Sequence, residues 1–221
     1  MIELKDVTKI YDLGASKVKA LQEINLTINK ADFIAIEGPS GSGKSTLLNI
    51  IGCIDTPTEG KVFISGVDVS GLSDRELTKI RLRKIGFIFQ LFYLIPTLTA
   101  QENIELPMRE ARLPYRNRKA RSNKLLEMVG LVERANHYPN QLSGGEQQRI
   151  AIARALANEP EIILADEPTG EIDRPTGNRI LKIFKNLVDS TDITIIMVTH
   201  DPKVASQTKC RITIEDGRII K

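Results

Sequence analysis

Gly38-Pro39-Ser40-Gly41-Ser42-Gly43-Lys44-Ser45-Thr46 decides how the rest of the chain is read. It follows the apolar run Phe33-Ile34-Ala35-Ile36, which reads as a buried strand, and precedes Leu47-Leu48-Asn49-Ile50-Ile51, which reads as a helix. A glycine-rich loop ending in Gly-Lys-Ser between a strand and a helix is a phosphate-binding loop. Its glycines let successive backbone N–H groups curl inward around phosphate oxygens. The helix that follows turns its positive end toward the same spot. The spacing predicts that Lys44 reaches the β- and γ-phosphates of a nucleotide and that Ser45 holds Mg²⁺.

The chain has 221 residues, enough for one well-cored domain or one domain with a sub-lobe. With 41% hydrophobic and 27% charged residues it has the balance of a soluble globular protein. No run of about 18 apolar residues marks a membrane span. The start, Met1-Ile2-Glu3-Leu4-Lys5-Asp6, lacks the apolar stretch of a signal peptide, so a cytoplasmic protein is expected. Cys53 and Cys210 show no metal-ligand spacing and read as two small, reduced, buried side chains. The net charge of +3 is too small to argue for a nucleic-acid partner. One basic run, Arg109 to Lys124, reads as the solvated face of a helix whose apolar stripe is Ala120, Leu125, Met128 and Val129. Contact with a membrane surface is the other reading of that run.

Ile2 and Leu4, then Leu21, Ile24, Leu26 and Ile28, predict short antiparallel strands. Lys61–Ile64 and Gly86–Gln90 read as further strands, and Ser73-Asp74-Arg75-Glu76 as a capping box opening a helix to about Lys84. From Leu91 to about Leu156 strand-like runs vanish and helical spacing dominates. Strands return at Ile162–Ala165 and Ile193–Val198, with Ile180, Ile183, Phe184 and Leu187 at helical spacing between them. Asp216-Gly217 marks a hairpin. Strands alternating with helices predict an α/β fold with a mostly parallel, helix-covered sheet.

Asp166-Glu167 closes the apolar run Ile162–Ala165. In open α/β sheets that end of a strand faces the ligand. An Asp there holds Mg²⁺, and the adjacent Glu167 can act as general base on an attacking water. His200, beyond the last core strand, is a candidate to hydrogen-bond the γ-phosphate; His137 reads as an exposed loop residue. Leu142-Ser143-Gly144-Gly145-Glu146-Gln147-Gln148-Arg149 opens another helix. Ser143 and Glu146 form a capping box, but a cap does not need Gly144-Gly145. Two glycines at a helix N-terminus suit close approach of a phosphate. As the chain already has a phosphate loop, the expectation is a second nucleotide-facing surface that acts on another subunit.

In this order the pieces resemble the ATP-binding subunit of an ABC (ATP-binding cassette) transporter, from Ile2 to Lys221. The resemblance implies a phosphate-loop NTPase core with an N-terminal antiparallel β-subdomain and an inserted helical subdomain. Residues 1–90 and 157–221 would form the nucleotide-binding lobe, and 91–156 the helical signature lobe. It implies ATP and Mg²⁺ as cofactors. Tyr11 would stack on adenine, and the loop from Gly38 to Thr46 would bind the phosphates. Ser143, Gly144, Gly145, Glu146 and Asp173 would face a nucleotide across a dimer. Glu167, His200, Gln90 and Lys44 would be catalytic, with Ser45, Gln90 and Asp166 on the metal. Gln90-Leu91-Phe92-Tyr93-Leu94-Ile95-Pro96 and Leu98–Asn103 look most like the macrolide-efflux and lipoprotein-release subgroup, with the related cell-division ATPase.

The resemblance thus implies a homodimer closing on two ATP and powering a separate permease, on the cytoplasmic face of the membrane, for export or extraction. The permease is expected to dock near Gln90–Asn103, on exposed apolar residues such as Phe92, Leu94 and Ile95. The alternative is a cell-division-type ATPase that drives a membrane regulator of cell-wall enzymes without transport. Two departures stand out: Glu146 where the broad family usually has Gln, though this subgroup often carries Glu, and Glu171 two residues before Asp173 where Asn or Ala is usual.

Overall fold

The first eleven-residue strand is longer than its sequence pattern suggests, because a bulge interrupts the apolar alternation. In the computed structural model, which describes residues 1–14 and 16–220, β1 (Ile2–Asp12) pairs antiparallel with β2 (Lys17–Ile28) along its whole length. Lys221, the last residue of the resemblance, lies outside the described residues. Ile2, Leu4 and Val7 are all buried although they break a strict period of two. A register shift between Leu4 and Val7, with Asp6 at φ 50°, returns the side chains to the core face. The short strands expected from the sequence are therefore segments of two long ones. With β4 (Glu59–Ile64) and β5 (Val67–Asp68) they form an antiparallel sheet in the order β2-β1-β4-β5.

The second sheet starts from β3 (Phe33–Glu37), whose first four residues are buried. It runs into the glycine-rich loop and α1 (Lys44–Ile51). Ser73 and Glu76 cap α2 (Asp74–Lys84) reciprocally, and β6 (Ile85–Ile88) follows at once. Helices and turns then fill the chain through α3 (Ala100–Glu110), α4 (Tyr115–Met128) and α5 (Gly144–Ala155). Next come β7 (Ile162–Asp166), α6 (Arg174–Ser190), β8 (Thr194–Val198), α7 (Pro202–Ala205), β9 (Cys210–Glu215) and β10 (Arg218–Ile219). The strand order is β10-β9-β3-β8-β7-β6, parallel except for the β9–β10 hairpin. All five residues of β8 are buried, as befits a parallel strand covered on both faces.

Two apolar clusters lie on either side of this sheet. One joins Ile34, Ile36, Ile196 and Val198 to α1 and the antiparallel sheet. The other joins Phe33, Ile163, Ile195 and Met197 to α3, α4, α5 and α6, so these helices share their core with the sheet. Phe184 of α6 is fully buried and meets Phe33 edge-on, with centroids 6.4 Å apart.

Some surface expectations need correction. In α4, Ala120 and Met128 are exposed, and the buried side is Ser122, Leu125 and Leu126, continued by Val129. The basic run does structural work on its flank: Arg121 donates to the carbonyls of Leu156 and Ala157 and pairs with Glu159 at 2.6 Å. Cys53 is buried and burial pushes its thiol up to about 11, whereas Cys210, expected inside, is exposed. His137 is half-buried and its carbonyl accepts the Ala100 N–H at 2.8 Å.

Candidate nucleotide site

The loop between β3 and α1 is shaped by its backbone. Gly43 sits at φ 104°, and a Cβ there would lie 2.4 Å from the Ala20 carbonyl oxygen, so no other residue fits. The β9–β10 turn grips the loop from below: the Gly217 N–H donates to the Ser42 carbonyl at 3.0 Å, and the Gln22 N–H to the Gly217 carbonyl at 2.8 Å. Lys44 Nζ donates to the carbonyls of Gly38 (2.9 Å) and Pro39 (2.6 Å), which holds the ammonium over the mouth of the loop. Ser42 Oγ is buried and has no hydrogen-bond partner among the described residues. A buried orphan hydroxyl costs free energy unless a group from outside satisfies it, and a phosphate oxygen suits that position.

At the carboxyl end of β7 the structure brings Asp166 to the same loop. Ser45 Oγ donates to Asp166 Oδ2 at 3.4 Å. Burial pushes the Asp166 carboxyl up, and the Ser45 hydroxyl and the Lys44 charge offset this in part. Among the described residues no cluster of three His, Cys, Asp or Glu side chains could hold a metal. One carboxylate and one hydroxyl fit Mg²⁺, which takes few protein ligands and completes its shell with water and substrate phosphates. A carboxyl whose folded pKa lies above its unfolded value binds more protons when folded. Its share of the stability therefore falls as pH rises from the unfolded value through the folded one. Asp166→Asn is accordingly expected to raise the nucleotide-free melting temperature by about 2 °C and to abolish Mg²⁺-dependent turnover; calorimetry and a phosphate-release assay check the two signs.

Glu167 follows at φ 47°, a left-handed conformation unusual for a side chain of this size. Its N–H donates to the Val198 carbonyl at 3.0 Å, and its own carbonyl accepts from the Gly170 N–H at 3.0 Å. This turn presents the carboxylate to His200, whose Nδ1 lies 2.8 Å from Glu167 Oε1. Outliers of this kind gather at functional sites, where the surrounding fold holds them. Gln90 lies nearby, but its amide donates to Glu171 Oε1 at 2.8 Å, so the unusual Glu171 is its immediate partner. Tyr11 is half-buried, and its hydroxyl donates to Asp55 Oδ2 at 2.8 Å.

The helix end at Ser143 is a separate feature. Ser143 Oγ accepts the Glu146 N–H at 3.3 Å, and the Glu146 carboxylate accepts the Ser143 N–H at 2.8 Å. That N–H lowers the Glu146 carboxyl most; burial acts to raise it, and the Ser143 hydroxyl and Arg134 help hold it below its ordinary range. The box uses the N–H groups of Ser143 and Glu146 and leaves those of Gly144 and Gly145 for a partner from outside the helix. The two glycines differ. A Cβ on Gly145 would strike Thr176 Cγ2 at 2.4 Å, so packing against α6 already demands glycine. Among the described residues a Cβ on Gly144 meets nothing closer than 3.7 Å, so packing against them does not explain that glycine. A polar cavity of about 360 Å³ opens here, lined by Ser143, Gly144, Gly145, Arg149, Asp173 and Arg179 among others. Asp173 caps α6 by accepting the Thr176 N–H at 3.1 Å. None of residues 38–46 lines the cavity.

Sequence reasoning missed the environment of these groups. Gln148 is fully buried in α5 and donates to the carbonyls of Pro168 (2.6 Å) and Phe89 (3.4 Å), neighbours of Glu167 and Gln90. Nothing in the local pattern marks a buried amide. Lys9 and Asp55 beside Tyr11 were missed too; Lys9 stands two residues before Tyr11 in the strand, a spacing that shares a face and was readable.

Residues 21–170 match the ABC transporter family. An uncharacterized ABC transporter ATP-binding protein of Thermotoga maritima is 54% identical over 219 residues, covering 99% of this chain and 93% of that one. The macrolide export ATP-binding/permease protein MacB of Hyphomonas neptunium is 48% identical over 220 residues, spanning all of this chain but 34% of MacB. The dimeric, post-hydrolysis structure of the ATP-binding cassette MJ0796 of Methanocaldococcus jannaschii, bound to ADP and Pi, is similar with a TM-score of 0.93 at 50% identity, over 100% of this chain and 97% of that one. With its phosphate loop, its carboxylate pair at the end of β7 and its Ser-Gly-Gly helix end, the chain belongs to the ABC transporter family and is an ATP-hydrolysing cassette.

Proposed function

We propose that two copies of this chain close around two molecules of ATP and reopen after hydrolysis. This cycle drives a membrane permease that exports or extracts a hydrophobic or lipid-linked substrate. The observation that carries the reading is the cavity at Ser143-Gly144-Gly145, a polar helix end that shares no lining residue with loop 38–46. One chain has two phosphate-seeking features that do not meet, and a second copy satisfies both. The dimeric structure of the relative MJ0796 with ADP and Pi supports this.

In each site the N–H groups of residues 38–46 and the Lys44 ammonium bind the triphosphate, and Tyr11 stacks on adenine. Ser45, Asp166 and Gln90 would hold Mg²⁺, which neutralises charge on the β- and γ-phosphate oxygens when bound. Glu167 accepts a proton from the attacking water. His200 keeps Nδ1 on the Glu167 carboxylate and directs Nε2 to the γ-phosphate. The Gly144 and Gly145 N–H groups of the other copy bind the same γ-phosphate at the positive end of α5. Loss of that phosphate removes the bridge between the copies.

Gly144→Asp tests this with effects of opposite sign. A carboxylate in the first turn of α5 favours the helix, so the melting temperature is expected to hold or rise. The same carboxylate repels a triphosphate, so ATP-driven dimerisation is expected to fall at least about tenfold. A variant that still dimerises normally, measured by light scattering, contradicts the reading.

The permease is expected in an apolar groove of about 520 Å³ lined by Ile54, Leu82, Phe87, Phe89, Tyr93 and Arg154 among others. Phe87 and Phe89 stack with centroids 5.8 Å apart, and Tyr93 meets Phe89 edge-on at 5.3 Å. In the neighbouring segment Leu91, Tyr93 and Ile95 are the exposed apolar residues; Phe92 and Leu94, expected outside, are half-buried, Leu94 against the second cluster. Exposed aromatic surface of this kind suits a partner, and MacB, by its name, combines cassette and permease. Tyr93→Asp is expected to keep basal ATPase and lose co-purification of a membrane permease with Glu167→Gln bait. Undiminished recovery counts against the groove.

A further inference from the structure

Tyr11 does not stand alone. Lys9 and Tyr11 share a face of β1, and Lys9 Nζ lies 4.9 Å from the centroid of the Tyr11 ring. The same ammonium donates to Asp55 Oδ1 at 2.6 Å and to the Thr56 carbonyl at 2.8 Å. Asp55 Oδ2 accepts the Tyr11 hydroxyl at 2.8 Å, and Oδ1 also accepts the Thr56 N–H at 2.7 Å. The Lys9 side chain is only 12% exposed, although it carries a full charge. Burial acts to raise the Asp55 carboxyl, but the bonds from Lys9, Tyr11 and Thr56 bring it below its ordinary range.

We propose that Lys9 and Asp55 hold Tyr11 as a one-faced stacking platform for the nucleobase, so that preference for a nucleoside triphosphate over a bare triphosphate depends on this pair. The proposal rests on the reading that Tyr11 stacks on adenine and names the residues that make that stack effective. The ammonium covers one face of the ring by a cation–π contact, which leaves the other face for a base. The carboxylate fixes the ring at its far end. A free tyrosine loses rotamer entropy when a base orders it; a pinned one has lost it on folding. The anchor is also tied to the phosphate loop. The N–H groups of Ile54 and Asp55 both donate to the Asn49 carbonyl, at 2.9 and 3.2 Å, in the helix that begins at Lys44. Base platform and phosphate cradle are thus held on one rigid element, which sets the distance between them.

A plain alternative is that the three side chains only staple β1 to the turn at Asp55. Calorimetric binding of Mg-ATP and of Mg-tripolyphosphate separates the two. Tyr11→Ala is expected to weaken ATP about tenfold and leave tripolyphosphate unchanged, as for loss of one aromatic stack. Asp55→Ala is expected to weaken ATP about fivefold, again sparing tripolyphosphate, and to have no further effect in the Tyr11→Ala background. Asp55→Asn, whose amide oxygen still accepts the phenol O–H, is expected to recover most of the loss. If Asp55→Ala does not fold, Lys9→Met, which keeps the stem and removes the cation, is read the same way. Equal weakening of both ligands, or a loss that persists without Tyr11, overturns the proposal in favour of the staple. Normal ATP affinity in Asp55→Ala beside weakened Tyr11→Ala overturns it and leaves the stack standing. Normal ATP affinity in Tyr11→Ala removes the stacking reading and the proposal together.

Discussion

Lys44→Ala is expected to lower the affinity for Mg-ATP by roughly a hundredfold, the loss of a charge-assisted contact to two phosphates in a partly dry loop. The geometry supports placing so much weight on one side chain. Lys44 is the first residue of α1, and its ammonium is held at the loop mouth by the Gly38 and Pro39 carbonyls. Its orientation is therefore set before any ligand arrives, and little entropy is lost on binding. The fold should not suffer, since neither carbonyl is deeply buried and water can replace the ammonium on both. The prediction is an unchanged melting temperature without nucleotide and the disappearance of the stabilisation by ATP, because a ligand stabilises only in proportion to its binding. Titration calorimetry measures the affinity directly. Unchanged affinity or ATPase activity sinks the assignment of this loop.

Glu167→Gln carries the second large effect, of a different kind. The amide keeps the shape of the side chain and its contact with His200, but it cannot accept a proton from water. Loss of a general base costs about 10²- to 10⁴-fold in rate, so hydrolysis is expected to drop by that factor while ATP affinity stays within about twofold. The φ of 47° at this residue is set by the turn between Asp166 and Gly170 and not by the carboxylate, so the substitution adds no strain. Single-turnover phosphate release on the variant reads the rate, and equilibrium binding reads the affinity. A fall in both together points to a damaged site and not to a missing base.

The parts of this molecule that were legible in its sequence are those decided by neighbours in the chain. The strand, loop and helix around Gly38–Thr46 form within about twenty residues, and every step has a residue-level cause. The capping boxes at Ser73 and Ser143 and the hairpin at Asp216-Gly217 are equally local. Contacts between distant segments left no such trace. The bulge at Asp6 conceals a long strand by shifting the period of the apolar residues. Gly145 looks like half of a phosphate-binding pair, yet Thr176 on α6 already requires it. Leu94 reads as an exposed anchor, but it packs under the helices. Glu171 looks like a stray charge, and its hydrogen bond to Gln90 emerges only when residues 81 positions apart are brought together. Asp55 lies in an ordinary surface stretch, and only the fold closes it on Lys9 and Tyr11.

Two halves of one site on different copies is the central claim, and size in solution tests it most directly. Sedimentation of Glu167→Gln with saturating Mg-ATP is predicted to show a dimer of the 24.6 kDa chain. It should return to monomer with ADP, and stay monomeric when Gly144→Asp is added. A Glu167→Gln protein that binds ATP yet remains a monomer contradicts the account.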